Sequence, residues 1–126
     1  MHEDAMQVDV ANWLHQLERE GLLIFKHTPN GKNRSAREGY RLKQMGTRAG
    51  WPDLDIILPA GTGGIGYARM IAIELKYKRG SLNPAQREML PKLREAGIPV
   101  YEVKALNGDD AILKIKPILM AEGVSL

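Results

Sequence analysis

The sequence predicts an α/β domain built on a mixed sheet flanked by helices. Two observations carry that prediction. Short apolar runs of strand length alternate with segments of helical period in the order helix, strand, long loop, strand, strand, helix, strand, helix. In addition, the last two strands are separated by a helical segment, as a parallel crossover requires. At 126 residues the chain has the length of one domain, residues 1–126, with no room for a second enzyme domain.

Each element has its own warrant. Over residues 3–20, Met6, Val10, Trp13, Leu14 and Leu17 recur at helical spacing, with acids early and Gly21 at the end. Residues 22–27 suit a short strand. Residues 28–50 hold Pro29, Gly31, Gly39, Gly46 and Gly50 and keep no period, which reads as a long loop with one helical turn around 35–43. Residues 53–58 and 69–77 read as strands, the second apolar enough to be buried on both faces. Asn83 before Pro84 marks a helix start, with Met89, Leu90 and Leu93 as its buried stripe and Pro91 removing a hydrogen bond or kinking it. A strand over 98–103 and a helix over 109–120, interrupted near Pro117, complete the chain.

Composition narrows the function classes. With 44% hydrophobic and 26% charged residues the chain is neither disordered nor fibrous. The absence of cysteine excludes a disulfide framework, a thiol nucleophile and a thiolate metal site, leaving oxygen or imidazole for any metal. No apolar run has the length of a membrane span, and the acidic start is no signal peptide, so a cytoplasmic protein is expected.

The net charge of +3 is unevenly spread. Residues 26–50 carry seven cations (Lys26, Lys32, Arg34, Arg37, Arg41, Lys43 and Arg48) against Glu38 alone, a net of +6, while the rest carries eleven cations against fourteen acids, a net of −3. Such a basic segment suits a polyanion, because phosphate contacts dominate nucleic-acid affinity, although a solvated loop has the same composition.

Two patterns compete for the chemistry. Gly61, Gly63 and Gly66 spell G-x-G-x-x-G, but a strand follows where the dinucleotide fingerprint needs a helix, and Gln86 stands where the ribose acid belongs, so a hairpin loop is the better reading. The other pattern is Pro52-Asp53 on one strand and Glu74-Leu75-Lys76 on the next. Glu74 and Lys76, two apart, share a face, and on neighbouring strands Asp53 and Glu74 can converge on one divalent cation. Lys76 then supplies positive charge to a developing phosphorane or helps to orient or deprotonate a water. Taken alone, Glu-x-Lys is better read as an edge-strand charge pair, since acid-x-Lys tripeptides are common by chance.

The complete arrangement resembles the PD-(D/E)XK nuclease signature, and along residues 3–104 the chain is similar to the VRR-NUC family within it. The residues that carry the likeness are Glu3 and Gln7 on the first helix, Asn30-Gly31-Lys32-Asn33-Arg34, Gly50-x-Pro52-Asp53-Leu54, Glu74-x-Lys76, Gly80-x-Leu82, Gln86, and Leu93 with Gly97 before a strand. The resemblance implies a restriction-endonuclease-like core, Mg²⁺ or Mn²⁺, and phosphodiester hydrolysis. It further implies Asp53 and Glu74 as metal ligands, the Leu75 carbonyl as another, Lys76 as the catalytic lysine, Glu3 as a helix carboxylate reaching the metal, and Gln86 bonding near Lys76 or the substrate. Lys32, Arg34, Arg37, Arg41, Lys43, Arg48 and Lys78 are the expected DNA contacts.

Short members of this kind resemble homodimeric Holliday-junction resolvases of bacteria and phages, which implies branched DNA as partner in a bacterial cell or phage-infected host. A flap or single-strand nuclease and a binding module without catalysis are the alternatives. The apolar C-terminal residues Ile112, Leu113, Ile115, Ile118 and Leu119 exceed the evident needs of one core and suggest a dimer surface. Asp55, on the face of Asp53, reads as an exposed residue rather than a further acid of the site. His27 adjoins the basic loop, and no histidine has metal-ligand spacing. Trp51 fits either the core or a base-stacking role.

Overall fold

The computed structural model describes residues 2–29 and 35–126. Its elements are α1 (His2–Arg19), β1 (Ile24–His27), α2 (Ala36–Gln44), β2 (Leu54–Leu58), β3 (Arg69–Tyr77), α3 (Pro84–Glu95), β4 (Val100–Ala105) and α4 (Gly108–Ala121). They form a four-stranded mixed sheet in the order β1-β2-β3-β4, with β1 to β3 antiparallel and β4 parallel to β3 across the α3 crossover.

Strand alternation divides the apolar residues between two layers. Leu54, Ile56 and Leu58 of β2, Ile71, Ile73 and Leu75 of β3, and Val103 and Ala105 of β4 meet Met6, Val10, Leu14 and Leu17 of α1 and Ala111, Ile115 and Leu119 of α4. On the other face Ala72 and Val100 pack against Met89, Leu90 and Leu93 of α3. β3 is thus covered on both sides, as its composition predicts. The glycine-rich 59–66 segment makes a single 3-10 turn (Thr62–Gly64) inside the β2–β3 hairpin, which leaves no helix N-terminus for a dinucleotide.

Three expectations need correction. The final helix runs without a break from Gly108 to Ala121, through Pro117, and α3 likewise runs through Pro91. The carbonyl that each proline leaves without a donor belongs to an exposed residue, Leu113 or Arg87, where water can replace the lost bond. The helical piece of the basic loop is nine residues rather than one turn, opened by Ser35, whose hydroxyl accepts the Glu38 N–H at 3.1 Å. Ser35-x-x-Glu38 is a capping sequence that could have revealed it. Finally, the C-terminal apolar residues are no surplus. Ile115 and Leu119 are fully buried, Ile112 and Ile118 pack on the same core, and only Leu113 stands exposed, because α4 lies beside α1 on one sheet face and its stripe closes that layer.

Candidate active site

The hairpin brings the predicted residues together. Leu54 pairs with Ile73, so Asp53, one step before β2, lies opposite Glu74 in the middle of β3. The Asp53 N–H donates to Glu74 Oε1 at 3.1 Å, and the Leu75 N–H donates to Asp53 Oδ2 at 2.8 Å. The Asp53 carbonyl accepts from the Thr28 N–H at 2.8 Å, and the His27 Nδ1, which donates there, lies at 3.1 Å. Asp53 is therefore held from β1 and β3 at once.

The residues just before it are held as tightly. Gly50 has φ +80°, and a Cβ there would sit 2.3 Å from the Ala85 carbonyl oxygen, so α3's first turn presses directly on the backbone. Only glycine fits this position.

Glu74 is 1% exposed. A carboxylate so deep requires partners, and it has three donors. Besides the Asp53 N–H, its Oε2 accepts Gln86 Nε2 at 2.6 Å and pairs with Lys76 Nζ at 3.1 Å. The lysine thus finds its partner two residues away on its own strand. Gln86 is buried and donates to the same Glu74 oxygen that pairs with Lys76. Its Oε1 accepts the Asn83 N–H at 3.1 Å while its own N–H donates to Asn83 Oδ1 at 2.9 Å, a reciprocal cap that begins α3.

Both acids titrate above the ordinary carboxylate range. For Asp53 the main cause is burial, opposed by the Leu75 N–H and the Lys76 charge and reinforced by the Glu3 charge. For Glu74 it is burial and then the Asp53 charge, opposed by Lys76 and Gln86. A buried carboxylate beside a half-buried one, both hard oxygen donors, is an environment that a divalent cation relieves. The donor set therefore fits Mg²⁺ or Mn²⁺. Among the described residues no group of three acidic or imidazole side chains gathers at ligand spacing. Glu3 is exposed on the first turn of α1 and acts on Asp53 through its field. Mg²⁺ retains several waters, so a site with two carboxylates is compatible with it.

Asp55 departs from expectation: it is 5% exposed, and its two oxygens lie 3.0 and 3.1 Å from the Trp51 indole nitrogen. Burial follows because Asp55 sits between strands on the face that Trp51 covers. A lone acid within Leu54-Asp55-Ile56-Ile57-Leu58 was the available signal. Trp51 is half-buried against the α3 layer.

The described candidate DNA contacts are exposed side chains. Arg37, Arg41 and Lys43 are exposed on α2, which has no buried residue, and Arg48 is exposed beyond it. Among the described residues none of these four makes an ion pair. Lys78 is exposed, with its ammonium 5.0 Å from the centre of the Tyr77 ring. Asn30, Gly31, Lys32, Asn33 and Arg34 lie outside the described residues.

A mixed sheet that sets an acid before one strand against Glu-x-Lys on the next defines a nuclease of the PD-(D/E)XK class. The VRR-NUC domain model matches residues 1–107, and the chain belongs to that family. A solved structure named "VRR_NUC domain protein" is 23% identical, with TM-score 0.67 over 98% of this chain and 92% of that one. A second, named "VRR_NUC domain", is 19% identical, with TM-score 0.55 over 92% of this chain and 96% of the other. Both share the fold. No curated protein matches the chain. The family is one of nucleases, which makes DNA the implied substrate. No helix among the described residues is long and apolar enough to cross a membrane.

Proposed function

We propose that this chain, as one nuclease domain, is a Mg²⁺- or Mn²⁺-dependent, structure-selective DNA endonuclease, and that it resolves Holliday junctions as a homodimer. The observation that carries the catalytic part is the convergence of Asp53, Glu74 and Lys76, with Lys76 Nζ 3.1 Å from Glu74 Oε2. Asp53 and Glu74 would hold the cation, and the chemistry it would supply when bound is polarisation of a phosphoryl group and acidification of a water.

The protein's own residues supply the rest. Asp53 and Glu74 present oxygens whose positions are fixed by backbone donors, so little reorganisation accompanies binding. Gln86 keeps one Glu74 oxygen oriented. Lys76 brings a partly exposed ammonium to the edge of the pair, where it steadies charge on the transferring phosphate or takes part in moving the proton of the attacking water. Arg37, Arg41, Lys43 and Arg48 hold the phosphate backbone without reading sequence.

The junction reading rests on resemblance and on size. A small domain gains a continuous cationic surface and paired sites by two-fold pairing, which suits a branched substrate. The test is cleavage of linear duplex, single strand, flap and four-way junction with and without Mg²⁺ or Mn²⁺, alongside light scattering. Metal-dependent paired incision of the junction by a dimer supports the proposal. A monomer that cuts only flaps or single strands overturns the resolvase part alone, and binding without cleavage of any substrate overturns the catalytic part.

A further inference from the structure

Three polar side chains of the described residues are buried: Asp55, Glu74 and Gln86. Two belong to the carboxylate corner. Asp55 does not, yet its burial is nearly as complete. Its donors are one indole N–H, shared by both oxygens, and Lys26 Nζ at 3.9 Å from Oδ2 on a side chain that is 70% exposed. A solvated ammonium at that distance compensates little. The strand would gain from an apolar residue here, so the acid's cost must be set against what it holds.

What it holds is Trp51, two residues before Asp53. The segment 50–53 is fixed at three places: Gly50 against the Ala85 carbonyl of α3, the Trp51 ring on the layer of Met89, Leu90 and Leu93, and the Asp53 backbone between Glu74, Thr28 and His27. The ring contact is apolar and sets no rotation by itself. The indole N–H bond to Asp55 sets it, and with it the path of the chain into Asp53.

We propose that Asp55 is a positioning residue, which through the Trp51 indole N–H fixes the approach of the Asp53 carboxylate to a divalent cation. The proposal rests on reading Asp53 as a metal-binding acid. Asp55 itself touches neither cation nor substrate.

The test uses the intact chain with Asp55→Leu, Asp55→Asn, Trp51→Phe and the double variant Asp55→Leu/Trp51→Phe. Mn²⁺ affinity is measured by isothermal titration, steady-state cleavage is resolved into kcat and KM, and the thermal midpoint is recorded. Asp55→Leu and Trp51→Phe should each weaken Mn²⁺ affinity and kcat by about tenfold, the magnitude typical of groups that orient metal ligands. KM for DNA should stay within about twofold, and the double variant should be no worse than either single, since the pair acts as one device. Asp55→Asn, which keeps an acceptor oxygen, should recover most of both losses.

Parent-like Mn²⁺ affinity in either folded single variant overturns the proposal, even if the midpoint falls, because that is a structural role only. Should Asp55→Leu fail to fold, Trp51→Phe decides by the same readings. A Trp51→Phe effect confined to KM would make the ring a base-stacking surface and overturn the proposal. A parent that binds Mn²⁺ but cleaves nothing removes the nuclease reading while the affinity arm still judges Asp55. A parent that binds no Mn²⁺ overturns both.

Discussion

The carboxylate corner and helix α2 are built by opposite means. At the corner each of the two acids has several restraints: Asp53 is bonded through its N–H, its carbonyl and its carboxylate, and Glu74 accepts three donors. Helix α2 buries no residue and displays its cations to solvent, with Ser35 as its cap at one end and the Met45 N–H bonded back to Arg41 at the other. Under the proposed function, the difference separates chemistry from capture. Placement within a fraction of an ångström matters for a transition state, whereas phosphate attraction is long-ranged and tolerates movement.

The sharpest way to break this comparison is to remove one acid. Asp53→Asn or Glu74→Gln should lower cleavage by about 10³-fold or more, the several kcal/mol that a metal ion contributes, while DNA affinity remains. Asp53→Asn should also raise the thermal midpoint of the metal-free protein, since it deletes a carboxylate that burial holds above its ordinary range while keeping an acceptor for the Leu75 N–H. Near-normal turnover would mean that the corner is structural. Lys76→Ala comes next, with an expected loss of about 10²-fold in kcat and Mn²⁺ affinity preserved; parent-like kinetics would leave the lysine only as Glu74's partner.

On the other side of the comparison, replacing Arg37, Arg41 and Lys43 by alanine should weaken DNA binding for all sequences alike. The slope of log affinity against log salt should flatten by about two to three, with kcat at saturating DNA intact. An unchanged slope would place the DNA elsewhere. Gly50→Ala probes the corner's support, and a loss of about 2 to 4 kcal/mol is expected from the left-handed backbone and the contact with Ala85, read from denaturant unfolding.

The smallest effect concerns Asp110 at the start of α4. Its carboxyl is held below its ordinary value of 3.8, first by the Leu106 N–H and then by Lys114. A depressed acid stabilises the fold above its unfolded pKa and loses that contribution as pH falls through the folded one. The thermal midpoint of Asp110→Asn should therefore vary less with pH than the parent's as pH is taken below 3.8.

Legibility in the sequence follows the same division. Asp53, Glu74 and Lys76 were readable because strand period and hairpin pairing are local rules. Asn83-Pro84 announced α3 for the same reason. The cap that holds Gln86 was legible in the same way, but the partner of its side chain depends on where a crossover helix lands. Asp55 and the C-terminal stripe were misjudged on the same ground: burial arises from Trp51 folding back over β2 and from α4 lying beside α1, and neither contact has a local signature. The length of α2 was missed because glycines masked its period.

Gln86 joins a helix start to a buried acid through the two ends of one amide. Glutamate in its place would satisfy the cap equally well, as capping sequences allow, yet would set an oxygen of a third carboxyl group where the amide nitrogen lies 2.6 Å from Glu74. A library of all replacements at this position would thus separate two kinds of tolerance: selection for abundance would retain glutamate, and selection for cutting would reject it.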